Sequence, residues 1–238
     1  MARLFCGLLI VFVLFQFLGH SLHSDRGQAG ILIGAVIVAS MLLYERVAYG
    51  VPFRDGGLVL GLGRPDARGI WVSCLVSALL LVSLPVWAWF SGEKISLNTE
   101  RLWYVLGIFA QAGIAEETLF RGFLFGHLRR TRAFWSAALI STIPFALVHL
   151  ILFITMPASI AIASLVLSII TSFPFSFLYE IGGRTIWAPA ILHFVIQGAI
   201  KVVDLPNSES RLPLIWIGLC AAVPNLVFIF RTADKPGD

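Results

Sequence analysis

Glu116 and Glu117 stand side by side in an apolar run, and Arg121 follows them in the string Gly113-Ile-Ala-Glu-Glu-Thr-Leu-Phe-Arg-Gly122. Two histidines lie in other apolar runs: His149 in Phe145-Ala-Leu-Val-His149, and His193 in Ala190-Ile-Leu-His193-Phe-Val-Ile-Gln197. A glutamate, two histidines and an amide on three different apolar stretches suit one wet pocket.

Spacing divides the roles. Glu117 and Arg121 are four apart, so on a helix they share a face, with the acid ahead of the base in the favourable order. A helical period of 3.6 turns Glu116 about 100° away from Glu117. The expectation is one structural glutamate, held by arginine, and one glutamate aimed at a different partner. His193 and Gln197 are likewise four apart and can face a common site. His20, His23 and His127 fall in or beside loops and are expected at the interface.

These residues need an unusual container. Hydrophobic residues make up 58% of the 238 and charged residues only 13%, against about 25% in soluble domains. Too little polar surface remains to cover a soluble fold of this size, so the lipid bilayer is the expected solvent. A charge near the bilayer centre costs about 3 kcal/mol, so polar groups there must pair or line a wet cavity.

Eight apolar stretches are long enough to consider as spans: 4–18, 29–44, 70–90, 102–125, 134–154, 158–179, 186–203 and 212–230. The predicted fold is all-α, one polytopic transmembrane helical bundle of about eight spans over residues 1–238, with its motif core at about 102–200. The first stretch is also readable as a signal peptide, since Arg3 precedes a short apolar core. The glycine-rich segment 45–69 reads as an interfacial loop with a short surface helix. At 1.5 Å per residue, Glu116 lies about 14 Å, His193 about 10 Å and His149 about 22 Å from the cytoplasmic ends of their spans. Pro144 precedes His149 and is a candidate for altering that last depth.

Eight spans place eleven Lys and Arg on one side: Arg3, Arg46, Arg54, Arg64, Arg68, Arg129, Arg130, Arg132, Arg184, Arg231 and Lys235. Five fall on the other: Arg26, Lys94, Arg101, Lys201 and Arg211. The positive-inside bias then puts both termini of a multi-pass cell-membrane protein in the cytoplasm. The net charge of +4 comes from scattered cations, which gives no nucleic-acid patch. Cys6, Cys74 and Cys220 form no CxxC pair and are expected as small buried hydrophobes.

Glu-Glu-x-x-x-Arg at 116–121, Phe-x-x-x-His at 145–149 and a third motif beginning at His193 together resemble the CAAX protease and bacteriocin-processing (Abi, CPBP) family of intramembrane proteases. The stretch Leu60-Gly-Leu-Gly-Arg-Pro65 also looks like that family. The resemblance implies a bundle of about eight helices with a site open within the membrane, and peptide-bond hydrolysis by a glutamate-activated water. It implies Glu116 as general base and then proton donor, His149 holding or activating the water, and His193 with residue 197 stabilising the oxyanion. Glu117 and Arg121 support the site. The family usually has Asn or Asp where this chain has Gln197.

The family has been described both as metalloproteases and as glutamate-type proteases. Zinc held by Glu116, His149 and His193 is therefore an open expectation, although His-Glu-x-x-His is absent. Water activation without an obligatory metal is favoured. The expected partner is a membrane-anchored or transmembrane protein or peptide: a prenylated C-terminus, a leader peptide, a bacteriocin precursor, a sorting signal or an anti-sigma factor. A transporter or proton relay and a non-catalytic membrane scaffold are the rival readings.

Overall fold

The computed structural model describes residues 1–22, 26–97, 102–204 and 210–231. It is all-α apart from one two-residue β pair. Helices α1 (Ala2–Ser21), α2 (Arg26–Tyr49), α3 (Phe53–Val59) and α4 (Ala67–Ser91) precede the motif region. There α5 (Leu102–Ile108) continues as two segments with π winding, Phe109–Glu116 and Thr118–Phe125, and ends in α6 (Gly126–Arg129). Then come α7 (Phe134–Leu147), a 3-10 turn Val148–Ile151, α8 (Leu152–Thr155), α9 (Ala158–Ile181), α10 (Trp187–Gly198) and α11 (Leu212–Ala222).

Among the described residues, six helical stretches are long and apolar enough to cross a membrane: Ala2–Ser21, Gly27–Tyr49, Ala67–Ser91, Phe134–Thr155, Ala158–Ile181 and Leu212–Phe230. Eight were expected, and the two that do not qualify carry two of the three motifs, those of Glu116 and His193. The segment from Leu102 holds Glu116, Glu117 and Arg121 and changes winding along its length. Helix α10 has only 12 residues before tightening into the 3-10 turn Ala199–Lys201. By helix length and composition the chain is a multi-pass membrane bundle.

Local chemistry sets the helix ends. The Asp66 carboxylate accepts the Arg68 N–H at 2.8 Å, capping α4. Gly92 ends the same helix in the left-handed conformation, φ 71°, where a side chain would be strained. Helix α1 buries Leu4, Leu8, Val11 and Phe15 in the same core as Ile37 and Met41 of α2 and Leu119 and Phe123 of the π-wound helix. The first apolar stretch is thus a working wall of the bundle in this fold.

The segment before α4 is more than a surface loop. Helix α3 does expose Phe53 and Leu58, as an interfacial helix should. Leu60, however, is fully buried, and its carbonyl lies so close to Gly122 that a Cβ there would overlap it. Ile186 N–H donates to the Gly61 carbonyl at 2.9 Å, and Trp187 Nε1 donates to the Gly63 carbonyl at 2.8 Å. The Leu60–Pro65 stretch therefore clamps the π-wound helix to the start of α10.

The interhelix loops sort into two ends. At one, Arg3 donates to Ala48 O, Arg68 donates to Phe230 O, and Arg129 and Arg184 approach Glu180 Oε1 at 3.2 and 3.9 Å. At the other, β1 (Ser96–Leu97) pairs antiparallel with β2 (Val203–Asp204), and Ser210 donates to Glu93 Oε2 at 2.6 Å. The first set belongs to the cation-rich side of the sequence count; Arg101 and Lys235 lie outside the described residues.

Two expectations need correcting. Cys220 is buried, but Cys6 and Cys74 are exposed, because in lipid an outward face is as apolar as an inward one. His127 is not interfacial: its side chain is 9% exposed, with Nε2 3.3 Å from Oε1 of the wholly buried Glu45. His20 is exposed at the end of α1, and His23 lies outside the described residues.

Candidate active site

The motif helix carries its carboxylates where the backbone changes winding. One π segment ends at Glu116 and the next begins at Thr118. Such i→i+5 turns are rare and frequently lie at functional sites. The wider turn also alters the geometry read from a 3.6 period. Glu117 is not directed away from the site: both carboxylates approach His193, one at each ring nitrogen.

Glu117 Oε1 lies 2.6 Å from His193 Nδ1 and accepts from Arg121 Nη1 at 3.3 Å. Glu117, Arg121 and His193 are 0, 1 and 4% exposed. The arginine is held on its flat faces as well, with its guanidinium carbon 4.1 Å from the Phe145 ring centre and 5.0 Å from that of Phe175. Such contacts suit a weakly hydrated planar cation. Phe175 also stacks on His193 at 4.9 Å. Glu117 and Arg121 are thus a buried pair that supports His193 from behind.

Glu116 is placed differently. Its Oε2 is 3.8 Å from His193 Nε2, and its side chain retains 17% exposure. It opens on a cavity of about 700 Å³ that it lines together with His149, His193 and Gln197. His149, too deep by simple helix arithmetic, does reach that cavity. The α-helix containing Pro144 gives way at Val148 to a 3-10 turn, which carries His149. Its Nδ1 donates to the Phe145 carbonyl at 2.7 Å, since a carbonyl can only accept. Nε2 is therefore the ring nitrogen with a lone pair.

Gln197 Nε2 donates to His193 Nε2 at 3.0 Å, and Lys201 Nζ donates to Gln197 Oε1 at 3.3 Å. Lys201 was not expected here, yet its spacing of four from Gln197 is the same helical signal that joined Gln197 to His193. Phe175 carries no such signal, because its place against His193 depends on how α9 meets α10.

The donors fit a metal poorly. His193 has Nδ1 engaged by Glu117 and Nε2 engaged by Gln197, which leaves no ring lone pair for a cation. Among the described residues no group of three or more His, Cys, Asp or Glu side chains is arranged to hold one.

The remaining cavity wall is mostly apolar, with Phe12 and Phe15 from α1, Leu152 and Met156 from the α8 region, and Ile217 from α11. Water-accessible acid–base groups at the side of an apolar slot suit hydrolysis of a hydrophobic, extended chain.

Residues 98–199 match the model of the family described as Type II CAAX prenyl endopeptidase Rce1-like. That span contains all three motifs. No curated protein and no solved structure matches the chain.

Proposed function

With residues 98–199 belonging to the Rce1-like type II CAAX prenyl endopeptidase family, we propose that the chain is an intramembrane endopeptidase. It hydrolyses a peptide bond of a membrane-associated protein or peptide through a water activated by Glu116. The carrying observation is the division of the adjacent carboxylates. Glu117 is wholly buried and paired, while Glu116 opens on the cavity shared with His149 and His193.

Glu116 takes a proton from water as the oxygen bonds to the carbonyl carbon of the substrate. His149 Nε2 accepts a hydrogen bond from the same water and orients it. The carbonyl π bond becomes an oxyanion, for which the Gln197 amide is the donor. Collapse of that intermediate breaks the C–N bond, and Glu116 returns the proton to the leaving amine. No metal is required in this scheme. In the bilayer the segments that carry Glu116 and His193 complete an eight-crossing bundle, and the apolar cavity receives the substrate from the membrane.

The test compares membrane-protein cleavage in cells carrying the wild type or Glu116→Gln. An amide cannot take the proton, so the expected result is a set of membrane-derived fragments that disappears in the variant at equal protein abundance. Identical fragment sets would remove the peptidase reading. Solute or proton flux into liposomes, unaffected by Glu116→Gln cleavage defects, would instead favour a transporter.

A further inference from the structure

We propose that this site is loaded through the membrane face opposite its cation-rich end, the exterior face by the cation count, and cuts its substrate in the outer half of the bilayer. Exposure along the cavity wall locates the mouth. Gly19, Met156 and Ile160 line the cavity and are exposed. They sit near the end of α1, at the turn between α8 and α9, and at the start of α9. Lys201 joins them from the 3-10 turn after α10, two residues before β2. Phe120, Phe145, Phe175 and His193 line the same cavity at 3, 2, 1 and 4% exposure and form its floor.

The opposite face is closed. Among the described residues, none from the loops of the cation-rich end lines the cavity. On that side of the floor Leu60, Phe123, Leu124, Phe125 and Leu128 are at most 1% exposed, and the Leu60 carbonyl is pressed against Gly122. A chain arriving from the cation-rich face would have to part this close-packed core.

A polar track joins mouth to floor. Ser164, Ser168 and Thr171 of α9 line the cavity at spacings of four and three, which put them on one helix face. Ser168 Oγ and Thr171 Oγ1 donate to the carbonyls of Leu165 and Leu167 at 2.7 Å each. Each oxygen is thereby left as an acceptor for a substrate N–H. From Lys201 back to His193 the chain runs about 12 Å at helical rise, a depth that about four residues of extended chain cover. The site therefore takes the exterior end of an apolar membrane segment, unwound into extended form. A chain anchored only at the cytoplasmic face does not reach it.

The position of the cut rests on the peptidase reading; the side of entry does not, and its test needs no substrate. In a Cys6→Ala, Cys74→Ala, Cys220→Ala background, Gly19→Cys, Ser164→Cys or Thr131→Cys is added singly. A side chain at Gly19 meets open space, Ser164→Cys nearly keeps the side-chain size, and Thr131 is exposed at the cation-rich end. Right-side-out and inside-out membrane vesicles are treated with a small, charged, membrane-impermeant methanethiosulfonate. Gly19→Cys and Ser164→Cys should be labelled in right-side-out vesicles, and Thr131→Cys only in inside-out ones. Labelling of Ser164→Cys from the cytoplasmic side alone, or from neither side, overturns the proposal. If the cysteine-free protein does not fold, the cut decides. Fragments present in wild-type cells and absent with Glu116→Gln should end within about four residues of the exterior boundary of an apolar segment, and cuts at the cytoplasmic boundary overturn the proposal. Exterior labelling in a protein whose Glu116→Gln variant alters no cleavage leaves the side of entry standing and removes the peptidase reading.

Discussion

Glu117 Oε1 lies 2.6 Å from His193 Nδ1 although 76 positions separate the two residues. The same oxygen accepts from Arg121, so the buried charge pair and the histidine of the cavity form one unit. That unit ties the π-wound helix to α10, and its energetics decide what each substitution does.

Removing one partner of a buried pair costs about 3–5 kcal/mol, because the other charge is left without compensation. Arg121→Ala should lower folded yield and thermal midpoint, and Glu117→Ala should do the same. Their double variant should lose less than the sum, with a coupling of about 0.5–3 kcal/mol. Thermal unfolding of the four proteins in one detergent measures this. Additive losses would mean that the ion pair contributes nothing to stability.

Gln197 should separate fold from catalysis. Loss of one preorganised oxyanion donor costs about 100-fold or more in kcat, so Gln197→Ala should fold normally and lose most cleavage. Gln197→Asn keeps an amide but cannot span both Lys201 and His193, so its rate should lie between Ala and wild type. The assay is cleavage of the identified substrate by purified protein in liposomes. A wild-type rate in Gln197→Ala would make residue 197 a packing position.

Gly122 reads the clamp between the Leu60–Pro65 stretch and the motif helix. A Cβ at 122 overlaps the Leu60 carbonyl, and the neighbour is backbone, which yields less easily than a side-chain tip. Gly122→Ala should destabilise by about 1–3 kcal/mol, the usual range for overpacking. Gly218 in α11 has open space at its Cβ, so Gly218→Ala should be neutral or stabilising. Equal melting points for the two variants would mean that the clamp is loose.

Topology follows from the cation count. Reporter fusions after Asp238 and within 206–211 should report opposite sides of the membrane, with the first cytoplasmic. The grouping of Arg3, Arg68, Arg129 and Arg184 at one end requires their loops to share a side. A non-cytoplasmic report from the C-terminal fusion would invert the whole arrangement.

The sequence by itself determined the membrane setting, the helical class and the identities of the polar residues. Long apolar runs admit only helices or closed barrels in lipid, and charges inside such runs must have a use. Interactions four apart on one helix were legible for the same reason: Glu117 with Arg121, and His193 with Gln197, follow from helix geometry alone. Only the tertiary structure decided which residues meet between helices. Lipid is as apolar as a protein core, so a buried face and a lipid face look alike: α4 buries Val72, Val76 and Leu80 and exposes Trp71, Leu75 and Leu79. With no polar stripe to mark the outside, nothing local set the approach of α10 to the motif helix. Nothing local announced the π winding around Glu116 and Glu117 either. That approach and that winding put Glu117 against His193 and left Glu116 facing the cavity.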